Sequence, residues 1–193
     1  MTRVFTIGGF TETVDESTGM QWAYQAHIRR YDNHEDIDVE PVRPWKSKWK
    51  RIAKRAALDG VDDVVIVAYS WGAGWGAQVL AEELLRLGVR VPLVVLCDPV
   101  YRPKWLPTWM SANVFGFRAL TPNLTAIKVP YGVGRVVGVR QNTKWQMLKG
   151  HKLSHRGQKF HLPLVRGAKH SDIDSSPQWF RLVSSELKRY FGL

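Results

Sequence analysis

The chain contains 193 residues, of which 45% are hydrophobic and 23% are charged, and it carries a formal net charge of +11. This composition excludes a disordered or fibrous chain and fits a single globular domain over residues 1–193. No apolar run approaches the ~20 residues of a transmembrane helix, and the first predicted strand leaves no room for a signal peptide, so we expect a cytoplasmic protein.

Apolar periodicity predicts strands that alternate with helices along most of the chain. The predicted strands cover residues 3–7, 38–43, 63–69, 91–97, 125–130, 135–141 and 161–168, and the predicted helices cover 20–31, 45–58, 73–87 and 177–191. This alternation is typical of an α/β fold in which a mainly parallel, doubly wound sheet of about six strands is flanked by helices. Residues 101–124 interrupt it with many aromatic residues and are predicted to form a cap or lid.

The predicted helix at 45–58 is basic and amphipathic. Its apolar face is formed by residues at helical spacing: Trp45, Trp49, Ile52, Ala53 and Ala56. Cations surround that face: Arg43, Lys46, Lys48, Lys50, Arg51, Lys54 and Arg55. We expect this helix to pack on the sheet through its tryptophan face and to hold its lysines in water.

Ser70 follows directly after the strand predicted at 63–69, and a helical pattern begins at about residue 73. Ser70 therefore lies on a tight strand-to-helix turn, which strains its backbone and brings the residues two before and two after it close together. Both of those positions hold small residues, Ala68 and Gly72. The pattern predicts a nucleophile elbow with alanine in place of the first glycine of G-x-S-x-G. The alternative is a serine that only caps the helix.

An aspartate and a histidine follow two later apolar segments. Asp98 comes directly after the strand predicted at 91–97, whose last residue is the only cysteine, Cys97, and His170 ends the segment 162–169. The order serine, acid, histidine is the one found in hydrolases that carry this type of turn. The sequence therefore predicts a working serine nucleophile at Ser70.

These motifs resemble the α/β-hydrolase superfamily, in particular its small serine esterase, lipase and thioesterase members, including phage and bacterial ones. The resemblance covers nearly all of the chain and implies that Ser70 is the nucleophile and His170 the general base. Most members carry the acid after the strand that follows Asp98, but residues 99–171 contain no Asp or Glu. Three candidates for the acid that orients His170 remain: Asp98, Asp172 and Asp174. We favour Asp98, the place used by pancreatic-type lipases, because it ends a predicted central strand.

The resemblance also implies an oxyanion hole. One donor would be the backbone N–H of Trp71, and the second would come from Phe10 or a direct neighbour, after the Gly8-Gly9 pair. Four aromatic residues of the predicted cap could line an apolar substrate cleft: Trp105, Trp109, Phe115 and Phe117. The alternative is that these side chains only pack the cap onto the sheet.

The positive charge indicates an anionic partner. Residues 99–171 hold thirteen Lys or Arg and no acid. The electric field of so many positive charges attracts anionic lipid, cell-wall polymer or nucleic acid.

We predict a serine hydrolase that cleaves a carboxylic ester or thioester with an apolar portion and that needs no metal or organic cofactor. Two alternatives remain: a cell-envelope esterase similar to the phage lysin B type, and a non-catalytic hydrolase-fold module that binds nucleic acid or another anionic partner.

Overall fold

A parallel sheet lies at the centre of the fold. The computed structural model describes residues 1–9, 37–42, 47–100, 126–141 and 151–192. The strands are β1 (Thr2–Ile7), β2 (Ile37–Val42), β3 (Asp63–Tyr69), β4 (Arg90–Cys97), β5 (Ala126–Lys128), β6 (Arg135–Gln141), β7 (Lys152–His155), β8 (Gln158–Phe160) and β9 (Leu164–Val165). Six of them form the central sheet in the order β2-β1-β3-β4-β6-β9, and each neighbouring pair is parallel. The predicted α/β class and mainly parallel sheet are confirmed.

Helices cover both faces of this sheet. They are α1 (Trp49–Leu58), α2 (Ala77–Arg86), which a π-helical turn (Gly72–Gly76) precedes, and α3 (Pro177–Phe191). Side chains alternate along β3, so that Val64 and Ile66 pack in the core with α1 and α2, whereas Val65 and Val67 pack in a second core with α3. The central strands are thus buried on both faces, which explains their continuous apolar sequence.

The basic helix packs as expected. Trp49, Ala53 and Ala56 are buried in the core under α1, while Lys50 and Lys54 are exposed. The helix begins at residue 49 rather than 45. The predicted helix at 20–31 and the predicted cap at 101–124 lie outside the described residues. Among the helices that are described, none is long and apolar enough to cross a membrane.

The structure contains a second sheet, of order β5-β7-β8, which was not predicted from the sequence. The strand predicted at 125–130 is reduced to β5 and belongs to this small sheet rather than to the central one. The strand predicted at 161–168 is also wrong in extent, because only Leu164–Val165 pair with β6. Pro163 has no N–H to donate to a strand ladder, which prevents an earlier start. The hairpin of β7 and β8 was missed because each strand is short and largely polar.

The start of α3 fixes the loop that precedes it. The Oγ atom of Ser176 accepts a hydrogen bond from the backbone N–H of Trp179 (3.3 Å), and Pro177 occupies the first turn. Both features favour a helix start at this point. The Trp179 side chain is 1% exposed and anchors the helix in the core. The loop from residue 166 to residue 176 is therefore held at the carboxyl edge of the central sheet, where β9 ends.

Candidate active site

Ser70 lies on a sharp turn between β3 and the π-helical turn. Its backbone is left-handed (φ +54°), a conformation that is uncommon for a residue with a side chain. Two residues later, Gly72 approaches the end of β1 so closely that a Cβ atom on it would lie 2.4 Å from the carbonyl oxygen of Gly8. Only glycine fits there, which is the physical reason for the small residue in the sequence motif.

Asp98 follows β4, the neighbour of β3 in the sheet, and its side chain is fully buried. It also has a left-handed backbone (φ +42°). Its Oδ1 atom accepts a hydrogen bond from the backbone N–H of Gln141 (3.1 Å), and its own N–H donates to the carbonyl oxygen of Val139 (2.8 Å). The end of β6 therefore holds this carboxylate in one orientation.

His170 connects Ser70 to Asp98. Its Nε2 atom lies 2.8 Å from Oγ of Ser70, and its Nδ1 atom lies 2.5 Å from Oδ2 of Asp98. A carboxylate accepts hydrogen bonds, so Nδ1 carries the proton, and Nε2 of the neutral ring is left to accept the serine O–H. The three side chains form a continuous hydrogen-bonded chain of the kind that can move a proton away from a serine hydroxyl.

Tyr69 supports the histidine from the opposite side. Its hydroxyl group donates a hydrogen bond to the carbonyl oxygen of His170, and the two rings stack with centroids 5.3 Å apart. Tyr69 is the last residue of β3, so the strand that positions the serine also positions the histidine. This role of Tyr69 was not predicted from the sequence. The available signal was a hydroxyl group at the end of a buried apolar strand, where it needs a partner.

The loop after β1 lies directly against the serine. A Cβ atom on Gly9 would lie 2.9 Å from Cε1 of Tyr69 and 3.3 Å from Cβ of Ser70. The Gly8-Gly9 pair is thus beside the serine, as the sequence pattern indicates. Phe10, the expected second oxyanion donor, lies outside the described residues.

Three indoles extend from the serine into the core. Trp71, the residue after Ser70, stacks on Trp75 with ring centroids 5.5 Å apart, and Trp75 meets Trp49 of α1 edge to face at 5.8 Å. Trp75 also lines a groove of about 720 Å³ between α2 and β5. The groove residues are Gly74, Trp75, Gln78, Val79, Glu82 and Ala126 to Pro130. The groove runs along the π-helical turn and the first half of α2, from Gly74 to Glu82.

The structure brings together three of the predicted site residues, Ser70, Asp98 and His170. Trp71 lies next to the serine as the sequence dictates. The alternative acid Asp172 is exposed and precedes the short 3₁₀ helix Ile173–Ser175, and the carboxylate bonded to Nδ1 of His170 is that of Asp98. The cap residues are outside the described residues: Trp105, Trp109, Phe115 and Phe117.

Comparison with known proteins establishes the fold. No family model matches the chain, and no curated protein matches it in sequence. Among solved structures, RedJ, a thioesterase from the prodiginine biosynthetic pathway in Streptomyces coelicolor, is similar with a TM-score of 0.54 and 12% identity, over 95% of this chain and 89% of RedJ. The structure of RedJ with a PEG molecule bound in its active site is similar with a TM-score of 0.53 and 12% identity, over 96% of this chain and 93% of RedJ. The chain has the α/β-hydrolase fold.

Proposed function

We propose that the chain is a serine hydrolase that cleaves thioesters or carboxylic esters with an apolar acyl portion. The observation that carries the proposal is the hydrogen-bonded chain from Oγ of Ser70 through His170 to Asp98, with distances of 2.8 and 2.5 Å. A buried carboxylate on one imidazole nitrogen and a serine hydroxyl on the other is the arrangement that activates serine as a nucleophile.

In the first half of the reaction, Oγ of Ser70 attacks the carbonyl carbon of the substrate and passes its proton to Nε2 of His170. Asp98 stabilises the imidazolium that forms and holds it in the productive orientation. The tetrahedral intermediate then collapses. The bond from carbon to the leaving oxygen or sulfur breaks, the leaving group takes the proton from Nε2, and the acyl group stays on Ser70 as an ester.

In the second half, water attacks the acyl carbon while Nε2 of His170 takes one of its protons. The bond between the carbon and Oγ of Ser70 breaks, and the proton returns to Oγ. The product is a free carboxylic acid. The negative oxygen of each tetrahedral intermediate would accept hydrogen bonds from the backbone N–H of Trp71 and from the expected donor at Phe10.

Two observations support the choice of substrate. RedJ, which shares the fold over most of both chains, is named a thioesterase, and this favours a thioester as the bond that is cleaved. The groove that begins at Trp75 is lined by the apolar residues Val79, Ile127 and Val129 and by the polar residues Gln78, Glu82 and Lys128. The apolar part suits an acyl chain. We assign the acyl portion of the substrate to this groove.

The test is hydrolysis of p-nitrophenyl butyrate and of the butyryl thioester of N-acetylcysteamine by the purified chain. Ser70→Ala is expected to lower kcat by roughly 10⁴-fold or more, because the variant has no covalent acceptor. Ser185→Ala is the matched control, since the exposed hydroxyl of Ser185 donates a hydrogen bond to a backbone carbonyl of its own helix. Equal activity of the wild type and Ser70→Ala would overturn the proposal.

A further inference from the structure

The small sheet β5-β7-β8 has one apolar and one cationic face. Ile127 and Leu153 are buried in the core, and Phe160, which pairs with Leu153, packs against the same core. Side chains alternate along a strand, so the residues between these positions point the other way. The outward face therefore holds six side chains in two rows: Lys128, Ser154 and Lys159, then Ala126, Lys152 and His161.

Strand register defines these rows. Lys128 pairs with Ser154, and Ser154 pairs with Lys159. With strands ~4.8 Å apart, the backbones of the two lysines lie roughly 10 Å from each other, and Lys152 lies about 7 Å along β7 from Ser154. Ala126 pairs with Lys152, and one further step of the hairpin register brings His161 opposite Lys152. Three ammonium groups thus share a small area around one hydroxyl.

Among the described residues, no carboxylate neutralises the charges on this face. Lys128, Lys152 and Lys159 are exposed, and no carboxylate of the described residues forms an ion pair with them. The chain has no Asp or Glu anywhere from residue 99 to residue 171. No two of these lysines are directly opposite each other in the register, and none gains an ion pair from the described residues, so these contacts give no stabilisation in return for three charges on one face.

The pKa of His161, on the same face, responds to the same positive charges. Partial desolvation, together with the positive charges of Arg140 and Lys152, lowers the pKa of the exposed His161. His161 is therefore biased toward its neutral form, in which it can accept or donate a hydrogen bond beside the lysines. The cationic face continues in this direction toward Arg140, near the carboxyl end of β6.

The chemistry of the face selects one class of partner. Stable membrane anchoring needs apolar side chains or a lipid chain in addition to basic residues, and the centre of a protein interface is apolar. Ala126 is the only apolar residue in the two rows. Phosphate contacts of nucleic acids are made by Lys, Arg and hydroxyl side chains. We propose that this face, defined by Lys128, Lys152, Ser154 and Lys159, binds the phosphodiester backbone of nucleic acid without reading its sequence. The proposal does not depend on the hydrolase activity.

The experiment measures binding of a fluorescein-labelled 20-base-pair DNA duplex by anisotropy over a salt series. The face variant is Lys128→Gln/Lys152→Gln/Lys159→Gln. Its matched control, Lys48→Gln/Lys50→Gln/Lys54→Gln, removes the same three charges from exposed positions at α1. In the wild type, log K should fall linearly with log salt. The face variant should lose roughly 2.7 of that slope, about 0.9 for each phosphate contact, and bind roughly tenfold or more weakly at low salt. The control should keep the wild-type slope.

Three results would overturn the proposal. The first is equal weakening by the face variant and the control, which would mean that net charge alone drives binding. The second is no binding of the wild type to the duplex at 50 mM salt. The third is binding to phosphatidylglycerol vesicles, lost in the face variant, without binding to DNA. Should the triple variant fail to fold, Lys159→Gln alone carries the same expectation with a slope change of roughly 0.9.

Discussion

The backbone N–H of Val100 donates a hydrogen bond to the carbonyl oxygen of Ser70, at 2.9 Å. This bond ties the turn after β4 to the turn after β3, two strands that pair with Tyr69 opposite Cys97. Ser70 and Asp98 both have left-handed backbones in these turns. Such strain persists only where the surroundings hold it, and it is concentrated at functional sites. The two turns hold each other in the positions that His170 bridges.

Replacing the buried carboxylate should cost most of the activity. In Asp98→Asn the amide cannot stabilise the imidazolium and favours the wrong histidine tautomer, so kcat for p-nitrophenyl butyrate should fall by ~10⁴-fold. Asp172→Asn is the matched control, because Asp172 is exposed, and its kcat should remain close to that of the wild type. If Asp172→Asn were the damaging change and Asp98→Asn harmless, the acid would belong to the histidine loop.

Gly72→Ala should disturb the serine turn. The new methyl group would lie 2.4 Å from the carbonyl oxygen of Gly8 and 2.7 Å from that of Ile7, and backbone atoms cannot rotate away. We expect the free energy of unfolding to fall by about 1–3 kcal/mol and kcat to fall with it. Gly60→Ala separates the two effects: it has a left-handed backbone but open space around it, so it should lower only stability. Normal kcat in Gly72→Ala would argue against a close fit at this turn.

The groove along α2 should set the preferred acyl length. Val79→Trp would place an indole in the groove and should lower kcat/KM for p-nitrophenyl octanoate by roughly tenfold, with little change for the acetate. Leu58→Trp adds the same side chain at a position that is 76% exposed and should leave the profile unchanged. A loss in Val79→Trp that is equal for all chain lengths would place the acyl group elsewhere.

One ion pair should make stability depend on pH. Two hydrogen bonds from Arg135, at 2.7 and 2.8 Å, lower the pKa of Glu186 below its usual 4.5. The pair therefore stabilises the fold above about pH 4.5, and this stabilisation is lost as pH falls through the folded-state pKa. Urea unfolding of Glu186→Gln should show a loss of about 1–2 kcal/mol at pH 7 and a much smaller loss at pH 3.

The control for this pair is Glu83→Gln. Glu83 pairs with the exposed Arg86 one turn away on α2, and surface pairs of this kind contribute about 0–1 kcal/mol. Its effect at pH 7 should therefore be smaller than that of Glu186→Gln. A pH-independent difference between the wild type and Glu186→Gln would show that packing, and not the charge, carries the effect.

Much of the central sheet could be predicted because its strands are buried on both faces. A continuous apolar run identifies β3, and the shorter run at residues 136–139 identifies β6, both with the observed bounds; the Ser176-Pro177 start identifies α3. The small sheet could not be found in this way. Only Ile127 and Leu153 in it are fully packed, and its remaining residues alternate with lysines over strands of three or four residues. So short a pattern resembles a polar loop.

The active site also has a part that could be predicted from the sequence and a part that could not. Ser70, Asp98 and His170 could be named from their order and from the strands that they follow. The contacts of Tyr69 and Gln141 could not, because one is a bond to a backbone carbonyl and the other is a bond from a backbone N–H. Any residue can supply a backbone group, so the Tyr69 hydroxyl indicates that a partner is needed but does not identify it. The partners are set by the register of β4 and β6 and by the position of the loop that holds His170.

Covalent labelling of Ser70 tests the central claim most directly. The wild type would be incubated with a fluorophosphonate, digested and examined by mass spectrometry, with Ser70→Ala and Ser185→Ala treated in parallel. We expect one adduct, on the peptide that contains Ser70, in the wild type and in Ser185→Ala but not in Ser70→Ala. An unlabelled wild type, or an adduct on another serine that persists in Ser70→Ala, would contradict it.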